Sequence, residues 1–123
     1  MEDYLLEGTE ETPRIHLQLN GELSFKGHSY PEDALEFYLP ILNWLKEYKN
    51  SMAEATTATF NMTYFNSSST ILLLKILTSL VAMHKSGRAV RVVWMHEKGD
   101  TLMEEKAEEM GSMVDLPFEI KVV

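Results

Sequence analysis

Ile15, Leu17 and Leu19 alternate with His16 and Gln18, Asn20-Gly21 offers a turn that tolerates positive φ, and Leu23 and Phe25 resume the alternation. This period of two predicts a β-hairpin. The rhythm then lengthens: Ala34, Tyr38, Ile41, Leu45 and Tyr48 recur at spacings of four and three, which marks one apolar face of a helix. Ahead of it, Ser29-Tyr30-Pro31-Glu32 places a hydroxyl three residues before a carboxylate, with a proline between. A helix is therefore expected from about 31 to 49, kinked or split at Pro40. Alternation returns as Ala58, Phe60, Met62 and Tyr64 interleave with Thr57, Thr59, Asn61 and Thr63, predicting a strand over about 56–64 that ends at Asn66. A Leu- and Ile-rich helix over about 70–85 follows, closed by His84, Lys85 and Gly87. Residues 89–96 form the β-branched and aromatic run of a buried strand. Met103, Ala107, Met110 and Val114 mark a short amphipathic helix, and Phe118, Ile120 and Val122 a last alternating strand.

The resulting order, ββαβαβαβ, predicts an α/β fold: a mixed, mostly parallel sheet of about five strands with about three helices on right-handed crossovers. Residues 1–12 precede the first alternation and are expected to be a flexible N-terminal segment. A length of 123 residues suits one domain spanning 1–123, and 45% hydrophobic content suffices for a core without metals or disulfides. The net charge of -8 disfavours phosphate backbones and anionic lipid, so neither nucleic acid nor membrane is an expected partner. The absence of cysteine removes disulfide scaffolds, thiolate metal sites and cysteine nucleophiles. Acids stand where a signal peptide needs a basic start, and runs such as Ile71-Leu72-Leu73-Leu74 are interrupted by Lys75 and Thr78, short of the ~20 residues of a membrane span. A cytoplasmic protein is expected.

In a sheet of this kind, ligands and modifications gather where a strand's carboxyl end enters a helix. Here that loop is Tyr64-Phe65-Asn66-Ser67-Ser68-Ser69-Thr70. Ser, Thr and Asn cap helix N-termini by accepting from free backbone N–H groups, and one cap explains one such side chain. Four consecutive hydroxyls exceed that need, and each would hold a phosphate near the positive end of the helix dipole. Capping, regulated phosphorylation and a small-anion site are thus the three readings of the loop.

The same residues carry a resemblance. The element order with a hydroxyl-rich turn before the second helix looks like the STAS domains of anti-sigma factor antagonists. More closely, Ser29-Tyr30-Pro31-Glu32 with Phe37-Tyr38 and Pro40, followed by the Tyr64 to Thr70 segment, resembles the SiaC-like bacterial regulatory phosphoproteins over about residues 12–123. The resemblance implies a STAS-like, non-catalytic partner switch in cyclic-di-GMP and biofilm signalling, phosphorylated by a dedicated protein kinase and restored by a PP2C-like phosphatase. Its unmodified form would bind and activate a diguanylate cyclase. By motif the phosphoacceptor would be Thr70. The loop lacks the Asp-Ser-Ser-Gly pattern of the STAS antagonists, with Asn66 in place of the Asp, so Ser68 and Ser69 stand as alternative acceptors.

Partner contact is expected from Tyr30, Asn66, Ser67, Ser68 and Ser69, and from Leu72 and Leu73 of the second helix. That helix carries more apolar surface than one face can hold: Leu73, Ile76, Leu77 and Leu80 fill one side, while Leu72 and Met83 are expected to point elsewhere. Glu104, Glu105, Glu108 and Glu109 read as a solvated face. Enzyme motifs find no match: His16, His28, His84 and His96 show no zinc spacing, Ser67 to Ser69 lack the glycines of a nucleophile elbow, and no Gly-rich cradle occurs. No cofactor is expected. The competing class is a structural or homodimeric interaction module whose hydroxyl loop only caps a helix, or an anti-sigma factor antagonist.

Overall fold

In the computed structural model, which describes residues 1–51 and 53–123, strand order in the sheet follows chain order. The described elements are β1 (Tyr4–Leu6), β2 (Arg14–Leu17), β3 (Glu22–Ser29), α1 (Ala34–Tyr48), β4 (Ala55–Phe65), α2 (Ser67–Lys85), β5 (Ala89–His96), α3 (Thr101–Ser112) and β6 (Phe118–Val122). β1, β2 and β3 pair antiparallel, and β3 to β6 pair parallel. Each parallel crossover steps to the next strand in the same direction, so right-handed connections place all three helices on one face. The burial agrees: Ala58, Phe60 and Met62 of β4 share a core with Tyr38, Leu73 and Met110, one from each helix, while Thr57, Thr59 and Asn61 face the other side half-buried. Register puts Phe25 beside Phe60 and Phe60 beside Trp94. Their rings stack at 4.5 Å in both pairs, forming an aromatic ladder across the middle of the sheet.

Four expectations change. The N-terminal segment is not a free leader, because β1 pairs with β2 along Tyr4↔Leu17 to Leu6↔Ile15. The backbone carbonyl of Glu2 also accepts from the Trp44 indole at 2.8 Å, and the Asp3 carboxylate accepts from the Leu19 N–H at 2.8 Å. A three-residue strand is too short to show alternation, which is why the periodicity predicts about five strands where the sheet has six. Helix α1 starts at Ala34, not near Pro31, because Asp33 is the cap and accepts from the Glu36 N–H at 3.0 Å. Pro31 disfavours helix at Tyr30, and Ser29 stays in β3. Pro40 does not split α1; the carbonyl it leaves without an intrahelical donor belongs to Glu36, and both residues lie on the exposed side where water reaches.

The largest change is at α2, which begins at Ser67, three residues before Thr70, with Asn66 as its cap. The hydroxyl run is therefore the first turn of the helix and not a loop before it. At 19 residues α2 is long and apolar enough to cross a membrane by length and composition, yet its Leu72, Leu73, Ile76, Leu77, Leu80 and Met83 are built into the core. The hairpin turn behaves as expected: Gly21 has φ +104, and a Cβ there would lie 2.1 Å from the Ala55 carbonyl oxygen, so both conformation and space require glycine.

Candidate functional site

The parallel strands β3 to β6 end at one edge of the sheet, and α1, α2 and α3 begin there. At that edge Asn66 closes β4 by donating its N–H to the Ser29 carbonyl at 3.1 Å. Its side-chain oxygen accepts from the Ser69 N–H at 2.9 Å, which satisfies one of the free donors of the α2 terminus. Capping is thus the work of Asn66 and leaves the four hydroxyls with other tasks.

A helix turns about 100° per residue, so neighbouring hydroxyls face different surroundings. Ser69 points inward and is fully buried. Its Oγ donates to the Ser29 carbonyl at 3.0 Å and accepts from the Ser29 Oγ at 2.8 Å. Because that bond uses the only proton of the Ser29 hydroxyl, Tyr38 is the donor in the 2.6 Å contact between Tyr38 Oη and Ser29 Oγ. The result is a buried chain Tyr38–Ser29–Ser69 that ties α1, β3 and α2 together. Burial pushes the Tyr38 hydroxyl up to about 12.

Ser67 and Ser68 are exposed, and Thr70 is half-buried with its hydroxyl donating back to the Asn66 carbonyl at 3.0 Å. Two concave surfaces flank this turn. On the α1 side, an open groove of about 890 Å³ is lined by Glu32, Asp33, Leu35, Glu36, Ser68 and Ile71. On the α3 side, a cavity of about 400 Å³ is lined by Phe65, Ser67, Thr70, Ile71, Lys106 and Glu109 among others. Lys106 donates to the Phe65 carbonyl at 2.6 Å and sits over the rings of Tyr64 and Phe65, 5.0 and 4.6 Å from their centroids. Tyr30 is 39% exposed and packs edge-on against Tyr64.

Of the residues expected at a partner surface, Tyr30, Ser67 and Ser68 are exposed around one turn, and Asn66 is the half-buried cap between them. Ser69 is turned inward, so its hydroxyl presents nothing at the surface and is closed to a kinase in the folded chain. Leu72 and Leu73 are also in the core. The core stripe runs Ser69, Leu72, Leu73, Ile76, Leu77, Leu80, Met83, so Leu72 and Met83 belong to the buried face and do not point elsewhere. Ile71, 58% exposed, is the apolar residue α2 presents at this place, beside Leu35 of α1 at 55%. Sequence reasoning missed Lys106; the available signal was that it is the one cation within the Thr101–Ser112 segment, between two pairs of glutamates. Among the described residues no group of three or more His, Asp or Glu side chains is arranged to hold a metal ion.

Comparison with known proteins places this edge in context. Residues 6–123 match the profile described as SiaC family regulatory phosphoprotein. An uncharacterized protein of Pseudomonas aeruginosa strain UCBPP-PA14 is 30% identical over 122 residues, covering 98% of this chain and 97% of that relative. The crystal structure of apo-SiaC from P. aeruginosa superposes with a TM-score of 0.93 at 29% identity, covering 99% of this chain and all of that one. A second similar structure is that of the P. aeruginosa diguanylate cyclase SiaD in complex with its activator SiaC, with a TM-score of 0.90, 29% identity and 98% of this chain covered. The chain belongs to the SiaC family of regulatory phosphoproteins.

Proposed function

We propose that this protein is a non-catalytic partner switch whose unmodified α2 terminus binds and activates a diguanylate cyclase, and whose acceptor is Thr70. The reading is supported most by the likeness, over nearly the whole chain, to a SiaC solved in complex with the cyclase it activates. The first turn of α2 adds support, since Ser67, Ser68, Ile71 and Tyr30 leave an accessible rim around Thr70. A protein kinase would transfer the terminal phosphoryl group of ATP to Thr70 Oγ, forming the ester P–O bond as the anhydride breaks and ADP leaves with the charge. The hydroxyl proton passes to the kinase's base. A PP2C-like phosphatase would return the hydroxyl by hydrolysis, releasing inorganic phosphate.

Phosphorylation adds about -1.5 to -2 charge and three acceptor oxygens. They would appear in the cavity that Thr70 shares with Lys106 and Glu109, on a chain already at -8. A partner surface fitted to the neutral rim through Ile71, Leu35 and Tyr30 would then face bulk, desolvation and like charge together. Thr70→Glu is expected to weaken cyclase binding about ten- to a thousandfold, and Thr70→Ala to bind as the unmodified protein while accepting no phosphate. Titration calorimetry against the cyclase and phosphopeptide mapping of protein from the native host test this. A label found elsewhere than on Thr70, or undiminished binding by Thr70→Glu, would sink the reading.

A further inference from the structure

We propose that Lys106 is the cation that receives the phosphate carried by Thr70, exchanging the Phe65 carbonyl for a phosphate oxygen. The inference rests on Thr70 being the acceptor and adds a residue from a different helix to the switch. The unmodified hydroxyl is held by donating to the Asn66 carbonyl. Once esterified, Thr70 Oγ has no proton to donate, and its phosphoryl oxygens are repelled by that carbonyl. The side chain must therefore turn away from Asn66, and threonine in a helix has a second populated χ1 well for this. Thr70 lines the cavity toward α3, whose charged lining residues are Lys106 and Glu109. Lys106 is part-buried and held by one neutral acceptor and two ring faces. A dianion is the stronger partner, since ammonium–phosphate hydrogen bonds are charge-assisted and those to a carbonyl carry charge on one side only. Glu109 opposes the phosphate but is exposed and free to turn into solvent.

The exchange has a structural consequence. Lys106 now covers the face of Tyr64, the ring against which exposed Tyr30 packs. Drawing the ammonium toward Thr70 uncovers that face, so phosphorylation would alter the aromatic surface as well as add charge.

The test installs phosphothreonine at position 70 of the full chain by genetic encoding, independent of any kinase, and follows its second ionisation by phosphorus NMR. In the otherwise native chain the second pKa is expected about half a unit to one unit below the ordinary value of about 6. Lys106→Gln should raise it back, Lys106→Arg should keep it low, and Glu109→Gln should lower it further. Lys85→Gln, at the far end of α2 and ~22 Å away by helix rise, should leave it unchanged. Equal values in the native and Lys106→Gln chains overturn the proposal. So does a Lys106 Nζ nitrogen shift that fails to respond to phosphorylation, a measurement that needs no variant to fold. Absence of phosphate on Thr70 in protein from the native host would instead defeat the reading of Thr70 as acceptor, leaving the response of Lys106 to the installed group as a separate result.

Discussion

Two regions a single helical turn apart use the same side-chain chemistry for opposite ends. Beneath the first turn of α2, Ser69 is fully buried and joined to Ser29 and Tyr38 by contacts of 2.6 to 3.0 Å. Above it, Ser67 and Ser68 meet solvent, and Thr70 is tied only to the carbonyl of its own helix. The difference is one of phase: a hydroxyl aimed at the sheet must be satisfied by the fold, whereas one aimed outward remains available to another molecule. A run of four hydroxyls is thus two devices, a structural seam and an accessible rim, that happen to be adjacent in sequence.

The sharpest way to break this division is to put charge on each side of it. Ser69→Glu forces a carboxylate into the buried seam and should lower the unfolding free energy by about 3–5 kcal/mol or prevent folding. Thr70→Glu, on the rim, should stay within about 1 kcal/mol of the native chain. Urea denaturation of the two variants checks this, and equal stability would mean that the seam is not closed to water. A smaller effect is expected of Tyr38→Phe, which removes one buried donor and should lose about 1 kcal/mol near neutral pH. The Tyr38 hydroxyl titrates about 12 in the fold against 10.0 ordinarily. Its contribution is therefore fully present below pH 10 and is lost as the pH climbs through 12. Over that window the native chain should lose on the order of 2–3 kcal/mol more than Tyr38→Phe, and parallel falls of the two curves would refute the assignment. Smallest is the cap. Asn66→Ala leaves the Ser69 N–H without its acceptor and should lose about 1 kcal/mol, while Asn66→Asp keeps the acceptor and should hold or slightly raise thermal stability.

Much of the scaffold was legible. The threonine alternation of β4, the β-branched run of β5 and the apolar period of α1 each reported an element, because each is long enough for its period to repeat. The six-stranded sheet was not, because Tyr4–Leu6 is stabilised by pairing with β2 and not by any pattern of its own. The start of α2 was misplaced by three residues because Ser, Thr and Asn suit loops and helix first turns equally; only the Asn66 bond to the Ser69 N–H decides. That shift also reassigns Leu72, since the phase of a helix fixes which side of it is buried. The partner of Lys106 was beyond reach for a different reason. Its contact with Phe65 spans 41 residues of sequence, and nothing local to Thr101–Ser112 says which strand end it will meet.

The consecutive strand order has one further consequence. In doubly wound enzymes the order of strands reverses partway across the sheet, neighbouring crossovers part to opposite faces, and the gap between them becomes the cleft that holds a substrate. Here the order runs from β1 to β6 without reversal, so no such gap opens at the carboxyl edge. What this architecture offers at that edge is a row of helix ends side by side, a broad contour in place of a cleft between diverging crossovers.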